Sequence, residues 1–286
     1  MVRGLSSTRI VLAAPRQDRA VGTILSPKPP TTPRLITITF SHYCEKARWG
    51  LDRAGVDYTE DGHLPLFAWL PALRAGRVRT VPSLVTTGGS ITDSTDILRW
   101  VDRQGGVPPL FPAGDADVDE LEDRFDTRLG PHSRRIAYGY LLPAIRDVLG
   151  DAPGVPPLEV KAAKLLAPAI AALMKRGLKV TPAGVARSRE RLADIFTEVE
   201  VRLADGRRYL TGDRFTAADL TFAALATPVL LPGELAGFIP MQHIPPAMAD
   251  DVDRQRATVA GQFAMRLYRE DRGTPGSPAP RAAAPV

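Results

Sequence analysis

The alternation of apolar and polar residues predicts a strand followed by a helix near the start of the chain. Residues 35–40 alternate with period two and are rich in β-branched side chains, which is typical of a strand. Cys44 and Ala47 then recur at helical spacing, and Gly55 stands where a helix would end. Ser41 lies at the turn, where its hydroxyl would cap the helix. The unpaired N–H groups of the first helical turn would stabilise an anion there, such as a thiolate.

Further short elements follow up to residue 104. The pattern predicts strands at 56–60, 81–85 and 90–92, and helices at 63–76 and 94–104. The order β-α-β-α-β-β-α within about 75 residues is typical of a small mixed sheet with helices on its faces. We therefore predict an α/β domain over residues 34–104.

The character of the chain changes at residues 105–114, a segment rich in Gly and Pro that we interpret as a linker. Beyond it nearly every periodic segment is helical, and we predict an all-α domain over 115–271. The predicted helices span 115–129, 131–149, 158–176, 184–204, 216–229 and 248–270. The fold class is therefore α/β plus all-α.

The two ends of the chain are predicted to be disordered, at residues 1–33 and 272–286. The first is poor in acids, carries arginines and ends in a proline-rich run. A transit peptide, a disordered extension and the product of an early start codon all fit that composition. Neither end is included in the predicted fold.

Composition excludes several classes of protein. The chain of 286 residues is 44% apolar and 24% charged, with a net charge of +5, and its basic residues are scattered among acids. That pattern predicts no nucleic-acid surface, and no apolar run approaches the roughly 20 residues that span a bilayer. Cys44 is the single cysteine, which excludes an intramolecular disulfide and a multi-thiolate zinc site. We predict no metal, and a reducing, cytoplasmic location.

Three motifs make the sequence resemble the glutathione S-transferase superfamily. Ser41-His42-Tyr43-Cys44 resembles a glutaredoxin Cys-Pro-Tyr-Cys motif whose first cysteine is replaced by serine. Val81-Pro82-Ser83-Leu84 is followed by Asp93-Ser94, and residues 209–220 are similar to the capping-box motif of the family's helical domain. The resemblance covers about residues 34–270. It implies a thioredoxin-like N-terminal domain followed by a helical-bundle C-terminal domain.

The resemblance implies a catalytic role for Ser41, whose hydroxyl would donate a hydrogen bond to the sulfur of glutathione. Ordinary helix capping is the alternative. Cysteine-type relatives place the working cysteine where Ser41 stands, so Cys44 is interpreted as a small buried hydrophobe, with catalysis as its alternative. His42 is predicted to be exposed at the turn, with assistance in proton transfer near pH 7 as its alternative. Tyr43 is predicted to form a wall of the second-substrate pocket.

Glutathione binding is implied at two further motifs. The family's Val-Pro bond is cis, so the backbone of Val81 before Pro82 would pair with the cysteinyl part of glutathione; an ordinary strand-starting proline is the alternative. Ser94 is predicted to be an N-cap that receives the γ-glutamyl carboxylate, and Asp93 to bind its ammonium group. Simple capping is the alternative for Ser94, and it does not explain Asp93. Arg79 is a candidate for the glycine carboxylate. Three further residues share that candidacy: His63, Arg74 and Arg77.

The helical domain would supply the second-substrate pocket and a structural capping box. Candidates for the pocket, with surface charge as the alternative, are His132, Arg134, Arg135, Tyr138 and Arg146. The Pro- and Ala-rich segment 150–184 is interpreted as an insertion or irregular region that would reshape this pocket. Thr216 and Asp219 form a capping-box variant, with Asp in place of Glu, that would satisfy buried N–H groups.

The resemblance implies a glutathione S-transferase that conjugates glutathione to a small, largely apolar electrophile, as in detoxification. A glutathione-dependent reductase or lyase using Cys44 and a non-catalytic binding protein remain as alternatives. Glutathione is the implied co-substrate. A homodimer is expected from the family, with neither nucleic acid nor membrane as a partner.

Overall fold

The computed structural model describes residues 32–105 and 107–272, and its first domain is a four-stranded sheet with helices. The elements are β1 (Arg34–Ile38), α1 (His42–Arg53), β2 (Thr59–His63), α2 (Trp69–Gly76), β3 (Ser83–Thr86), β4 (Gly89–Ile91) and α3 (Ser94–Gln104). The strand order is β2-β1-β3-β4; β1 pairs parallel with β2 and antiparallel with β3, and β3 pairs antiparallel with β4. The predicted thioredoxin-like domain is confirmed. The predicted disordered ends lie outside the described residues at 1–31 and 273–286.

The second domain is helical, which confirms the predicted fold class. Its helices are α4 (Ala116–Arg124), α5 (Gly130–Leu141), α6 (Ile145–Gly150), α7 (Pro157–Gly177), α8 (Pro182–Leu203), α9 (Ala217–Leu230), α10 (Pro246–Ala257) and α11 (Val259–Leu267). A π-helical turn, Phe125–Leu129, joins α4 to α5, and another, Tyr268–Arg272, follows α11. Within the described ranges, none of the helices is both long and apolar enough to cross a bilayer.

Strand β2 lies three residues later than predicted. Val56, where the predicted strand begins, belongs instead to the C-terminal end of α1. Its N–H donates to the Leu51 carbonyl, and its side chain is the apolar contact that follows the helix end at Gly55. The strand itself is polar because its side chains meet buried charges. Glu60 accepts a hydrogen bond from Arg48 on α1 at 2.6 Å. Because a buried side chain of the strand is charged, the sequence shows no alternating hydrophobic pattern there.

Three predicted helices are interrupted, each for a local reason. The predicted helix 63–76 begins only at Trp69, because Leu66 has a positive φ of 75°. The predicted helix 131–149 breaks into α5 and α6 around Pro143, which removes a backbone donor. The predicted helix 248–270 breaks at Thr258, whose hydroxyl caps α11 by accepting from the Gly261 N–H at 2.9 Å.

The segment between the domains is fixed by hydrogen bonds. Asp102 accepts from the N–H groups of Leu110 and Phe111 at 2.9 and 2.8 Å. Leu110 is buried, and its carbonyl accepts from the Ala217 N–H at the start of α9. The predicted linker is therefore part of the contact between the two domains.

The far end of the second domain also returns to the first. Arg272 lies in the segment predicted to be disordered, but it is buried and donates to Glu45 of α1 at 2.7 Å. Its second carboxylate partner, Asp52, lies at 2.8 Å. The prediction is wrong here because nothing in the local sequence signals that Arg272 pairs with α1.

The capping box at the start of α9 is present and buried. Asp219, 0% exposed, accepts from the Thr216 N–H at 2.9 Å and from the Leu210 N–H at 2.8 Å. The Thr216 side chain accepts from the backbone at the third helical position. The carboxylate thereby satisfies donors of two segments that would otherwise be buried without partners.

Asp219→Ala should lower the free energy of unfolding by about 3 kcal/mol, because it leaves two buried N–H groups unpaired. Urea unfolding followed by circular dichroism measures the change. Asp213→Ala, an exposed acid of the same loop, is the matched control and should have little effect. Equal stability of Asp219→Ala and wild type would contradict the prediction.

His63 joins β2 to the start of α7. Its Nδ1 lies 2.6 Å from Glu159 and its Nε2 lies 3.0 Å from Asp61. Burial alone would lower the pKa of His63, but its hydrogen bonds to these carboxylates outweigh burial and raise the pKa to about 9. The protonated imidazole thus forms an ionic contact between the first domain, through Asp61, and the second, through Glu159.

His63→Gln should destabilise the protein more at pH 6 than at pH 10. A histidine whose folded pKa lies above its unfolded value contributes stability that is fully present below about pH 6.5 and lost as the pH rises through the folded pKa. Urea unfolding at both pH values tests this. His132→Gln is the control, since the pKa of His132 is lowered and its loss should therefore destabilise the protein no more at pH 6 than at pH 10. Equal destabilisation by His63→Gln at pH 6 and pH 10 would contradict a stabilising contact of protonated His63 between the domains.

Candidate active site

An apolar cavity of about 390 Å³ lies between the two domains. The first domain contributes the β1–α1 turn, the residues before α2, and Trp69. The second contributes faces of α5, α7 and α9 and the segment from Ile239 to Met248. This volume lies within the range of about 300–1,000 Å³ that is common for small-molecule sites.

Ser41 lines this cavity at the N-terminus of α1. Its backbone is extended, and its Oγ accepts from the Cys44 N–H at 3.4 Å, so it is the helix N-cap. A hydroxyl can accept one hydrogen bond and donate another. Ser41 can therefore cap the helix and present a donor to a ligand at the same time.

Cys44 lies one turn further on and is fully buried. Burial raises the pKa of its thiol to about 11, although Arg48 and hydrogen bonds with Ile38 and Ser41 act in the opposite direction. Cys44 does not line the cavity. These properties fit a small core side chain.

His42 and Tyr43 lie elsewhere than predicted. His42 is buried, not exposed: its Nε2 donates to the Gly130 carbonyl at 3.0 Å, and burial, assisted by the charge of Arg134, lowers its pKa to about 3. Tyr43 does not line the cavity, because its hydroxyl donates to the Asp126 carbonyl at 2.8 Å. Both side chains tie the start of α1 to the second domain, a role that no local pattern reveals.

Gly130 permits this close contact. A Cβ at residue 130 would clash with the Tyr43 hydroxyl. The glycine therefore lets the first turn of α1 lie directly against the start of α5.

The Val81–Pro82 peptide bond is cis, as the resemblance implies. Asp93, however, is the N-cap of α3, and its Oδ1 accepts from the Thr95 and Asp96 N–H groups at 2.8 and 3.3 Å. This corrects the N-cap predicted at Ser94, the first residue of the helix, which is buried. Both capping bonds use one carboxylate oxygen, so Oδ2 of Asp93 can accept from a ligand.

The candidates for the glycine carboxylate separate into two kinds. Arg79 is exposed, with its guanidinium 6.0 Å from the centroid of the Trp69 ring, and Arg74 and Arg77 are exposed as well. His63 is occupied by its two carboxylate partners. The structure leaves the three arginines as candidates.

The predicted second-substrate residues also divide. Tyr138 lines the cavity together with Arg134, one helical turn earlier on α5. His132 and Arg135 do not; both contact the Ser188 hydroxyl, at 3.1 and 2.8 Å, and Arg135 also donates to the Leu178 carbonyl. They face α8, because the adjacent positions of a helix point in different directions.

Several walls of the cavity were not identified from the sequence. They are apolar residues of α2, α7 and the region after α9, among them Trp69, Leu173, Met174, Leu231 and Met248. The segment 150–184, interpreted as irregular or inserted, is largely the helix α7, and its C-terminal turn supplies part of the wall. Only an amphipathic pattern signals such residues, and that pattern does not distinguish a cavity wall from a core.

Comparison with known proteins assigns both domains. The family model described as glutathione S-transferase, N-terminal domain, matches residues 35–109, and the C-terminal domain model matches residues 182–238. No curated protein matches the sequence.

Solved structures share the fold at low identity. A glutathione S-transferase of Ceriporiopsis subvermispora in complex with glutathione is 18% identical, with a TM-score of 0.55 over 85% of this chain and 98% of that one. The beta-etherase LigF from Sphingobium sp. strain SYK-6 is 17% identical, with a TM-score of 0.54 over 82% and 99%. The theta class glutathione S-transferase of Xanthomonas axonopodis pv. citri is 19% identical, with a TM-score of 0.50 over 82% and 98%.

The N-terminal and C-terminal domain models match in the family's order, and the chain has a thioredoxin-like domain followed by a helical one. Residues of both domains line the cavity at Ser41. The chain therefore belongs to the glutathione S-transferase superfamily.

Proposed function

We propose that the protein conjugates the thiolate of glutathione to a small, largely apolar electrophile. The observation that carries this proposal is that the Ser41 hydroxyl, at the N-terminus of α1, lines an apolar cavity between the domains. A thiolate beside Ser41 would therefore meet an acceptor bound in that cavity. Positioning the two reactants in this way accounts for a large part of the rate in such reactions.

Glutathione would lie along the edge of the first domain. Its cysteinyl backbone would pair with the backbone of Val81 next to the cis Pro82, and its γ-glutamyl group would lie at the start of α3. There Oδ2 of Asp93 would accept from the ammonium group, and the Ser94 N–H at the helix N-terminus would meet the carboxylate. Arg79 is our proposal for the glycine carboxylate.

Activation of the thiol would come from Ser41 and the α1 dipole. A free thiol titrates near 8.5, and each unit of pKa depression corresponds to about 1.4 kcal/mol of thiolate stabilisation. A hydroxyl donor and a helix N-terminus could together supply roughly two units. His42 is no proton acceptor, because its pKa is about 3 and its Nε2 donates to Gly130. The thiol proton would pass to water.

The chemical step would be attack by the thiolate on an electrophilic carbon. The sulfur lone pair forms the new carbon–sulfur bond, and the leaving group departs with its bonding electrons. The reductase alternative would need a reactive Cys44, and the burial of that thiol speaks against it. The homodimer and the cytoplasmic location stay predictions.

Ser41→Ala should raise the pKa of bound glutathione by at least about 1 unit and lower kcat/KM at pH 7 by about tenfold. Thiolate absorbance against pH and steady-state kinetics with 1-chloro-2,4-dinitrobenzene measure the two effects. The variant also loses an N-cap, a cost of about 1 kcal/mol of stability.

Thr181→Ala is the matched control, because Thr181 caps α8 by accepting from the Gly184 N–H at 3.0 Å, away from the cavity lining. It should cost similar stability and leave the thiol pKa unchanged. If glutathione does not bind at millimolar concentration, the proposed function is wrong. Binding without turnover of any electrophile would favour the non-catalytic binding protein.

Cys44→Ala should retain activity, and the native Cys44 thiol should resist alkylation. With a pKa near 11, its thiolate fraction at pH 8 is roughly 100-fold or more below that of a free thiol, before burial is counted. Iodoacetamide labelling read by mass spectrometry tests this, with urea-unfolded protein as the positive control. Rapid labelling of the folded chain, or loss of activity in a stable Cys44→Ala variant, would restore the reductase alternative.

A further inference from the structure

The cavity carries one permanent charge. Among the described residues that line it, Arg134 is the single Lys, Arg, Asp or Glu. The two other titratable lining groups are neutral near pH 7, because burial lowers the pKa of His42 to about 3 and raises that of Tyr138 to about 12. The cavity is therefore apolar with a net positive charge.

Arg134 differs from the buried arginines of this protein. Arg48 and Arg272 each meet a carboxylate, at 2.6 and 2.7 Å. Within residues 32–105 and 107–272, Arg134 makes neither a hydrogen bond nor an ion pair; its contact is with the Tyr43 ring, whose centroid lies 5.9 Å from its Cζ. A half-buried guanidinium thus faces the cavity without a counter-charge.

The charge of Arg134 lies at the end of the cavity that Ser41 lines. Arg134 lies close enough to His42 to help lower its pKa, and it lies beside the Tyr43 ring. Both residues belong to the turn that begins with Ser41. Tyr138 follows on the same face of α5, and apolar side chains of α2 and α7 line the space beyond.

A planar guanidinium binds carboxylates through two parallel hydrogen bonds, and such pairs are stronger where water is partly excluded. Apolar walls bind aromatic and aliphatic carbon. We propose that the cavity takes amphipathic monoanions, each with an apolar body and a single carboxylate that pairs with Arg134. In naming the acceptor class, this inference rests on the proposed function, but binding of the acid itself does not require glutathione.

The binding test uses 4-phenylbutanoate and its neutral isostere 4-phenylbutanamide, by calorimetry without glutathione. Wild type should bind the acid at least about tenfold more tightly than the amide. Arg134→Gln should remove that preference while leaving the affinity for the amide unchanged, and Arg134→Lys should retain part of it. Arg146→Gln removes an exposed arginine of α6 that does not line the cavity, and it should behave as wild type.

Equal affinities of wild type for acid and amide, binding of neither probe, or a preference that survives in Arg134→Gln would each overturn the proposal. If Arg134→Gln does not fold, the comparison passes to Arg134→Lys, whose preference must fall below that of wild type. A preference unchanged in Arg134→Lys would then count against the carboxylate pair.

An activity test separates this inference from the proposed function. The thiolate of glutathione displaces chloride from 4-(chloromethyl)benzoate or 4-(chloromethyl)benzamide, forming a carbon–sulfur bond as chloride leaves with its electrons. The acid should have the higher kcat/KM, by at least about tenfold, and Arg134→Gln should equalise the two. Turnover of both at equal rates would overturn the acceptor class and leave the transferase standing. Absence of glutathione binding, with the acid still preferred in calorimetry, would overturn the transferase alone.

Discussion

The structure depends on the neutralisation of charges in a helix that is buried on every side. Residues 44–51 of α1 are all buried, yet Glu45, Lys46 and Arg48 lie among them at no more than 2% exposure. Removing an ion from water costs several kcal/mol unless a partner compensates it. The partners come from three directions, so the helix can be buried only when these segments are in place.

Each partner belongs to a different part of the chain. Lys46 reaches Glu122 and, at 2.5 Å, Asp126 in the second domain. Arg48 meets Glu60 of β2, and Glu45 receives Arg272 from the C-terminal turn. The domain arrangement is thereby specified by charge matching as well as by apolar packing. Because Ser41 begins this same helix, the ties that fix α1 also fix the hydroxyl at the cavity, which is the preorganisation a thiolate site needs.

What the sequence could predict was local. Ser41 as a cap, the proline after Val81 and the box at Thr216 and Asp219 are each specified within a few residues. The predicted position of strand β2 is wrong because its buried polar side chain Glu60 is paired with Arg48, a residue outside the strand. Asp93 and Ser94 were exchanged in the capping role, since both residue types favour that position and the difference is one residue of register.

The rest of the site could not be predicted, because its parts meet only in the folded chain. Burial of His42 follows from the carbonyl of residue 130, and the cavity walls come from segments up to about two hundred residues apart. Helices α5 and α7 both lie outside the matched family regions, so the family relationship specifies neither of these cavity walls. His63 holds the start of α7 against β2.

The buried cations on and around α1 have carboxylate partners, whereas the cation that lines the cavity, Arg134, has none among the described residues. This chain places carboxylates against Lys46, Arg48 and Arg272, although each is deep in the interior and each pairing constrains a distant segment. Among residues 32–105 and 107–272 none is placed against Arg134, where a nearby acid would have formed a neutral pair at the cavity lining. An unpaired guanidinium beside apolar walls is costly in the free protein and favourable once an anion enters. That difference in free energy is what a binding site uses to select an acidic ligand over a neutral one of the same shape.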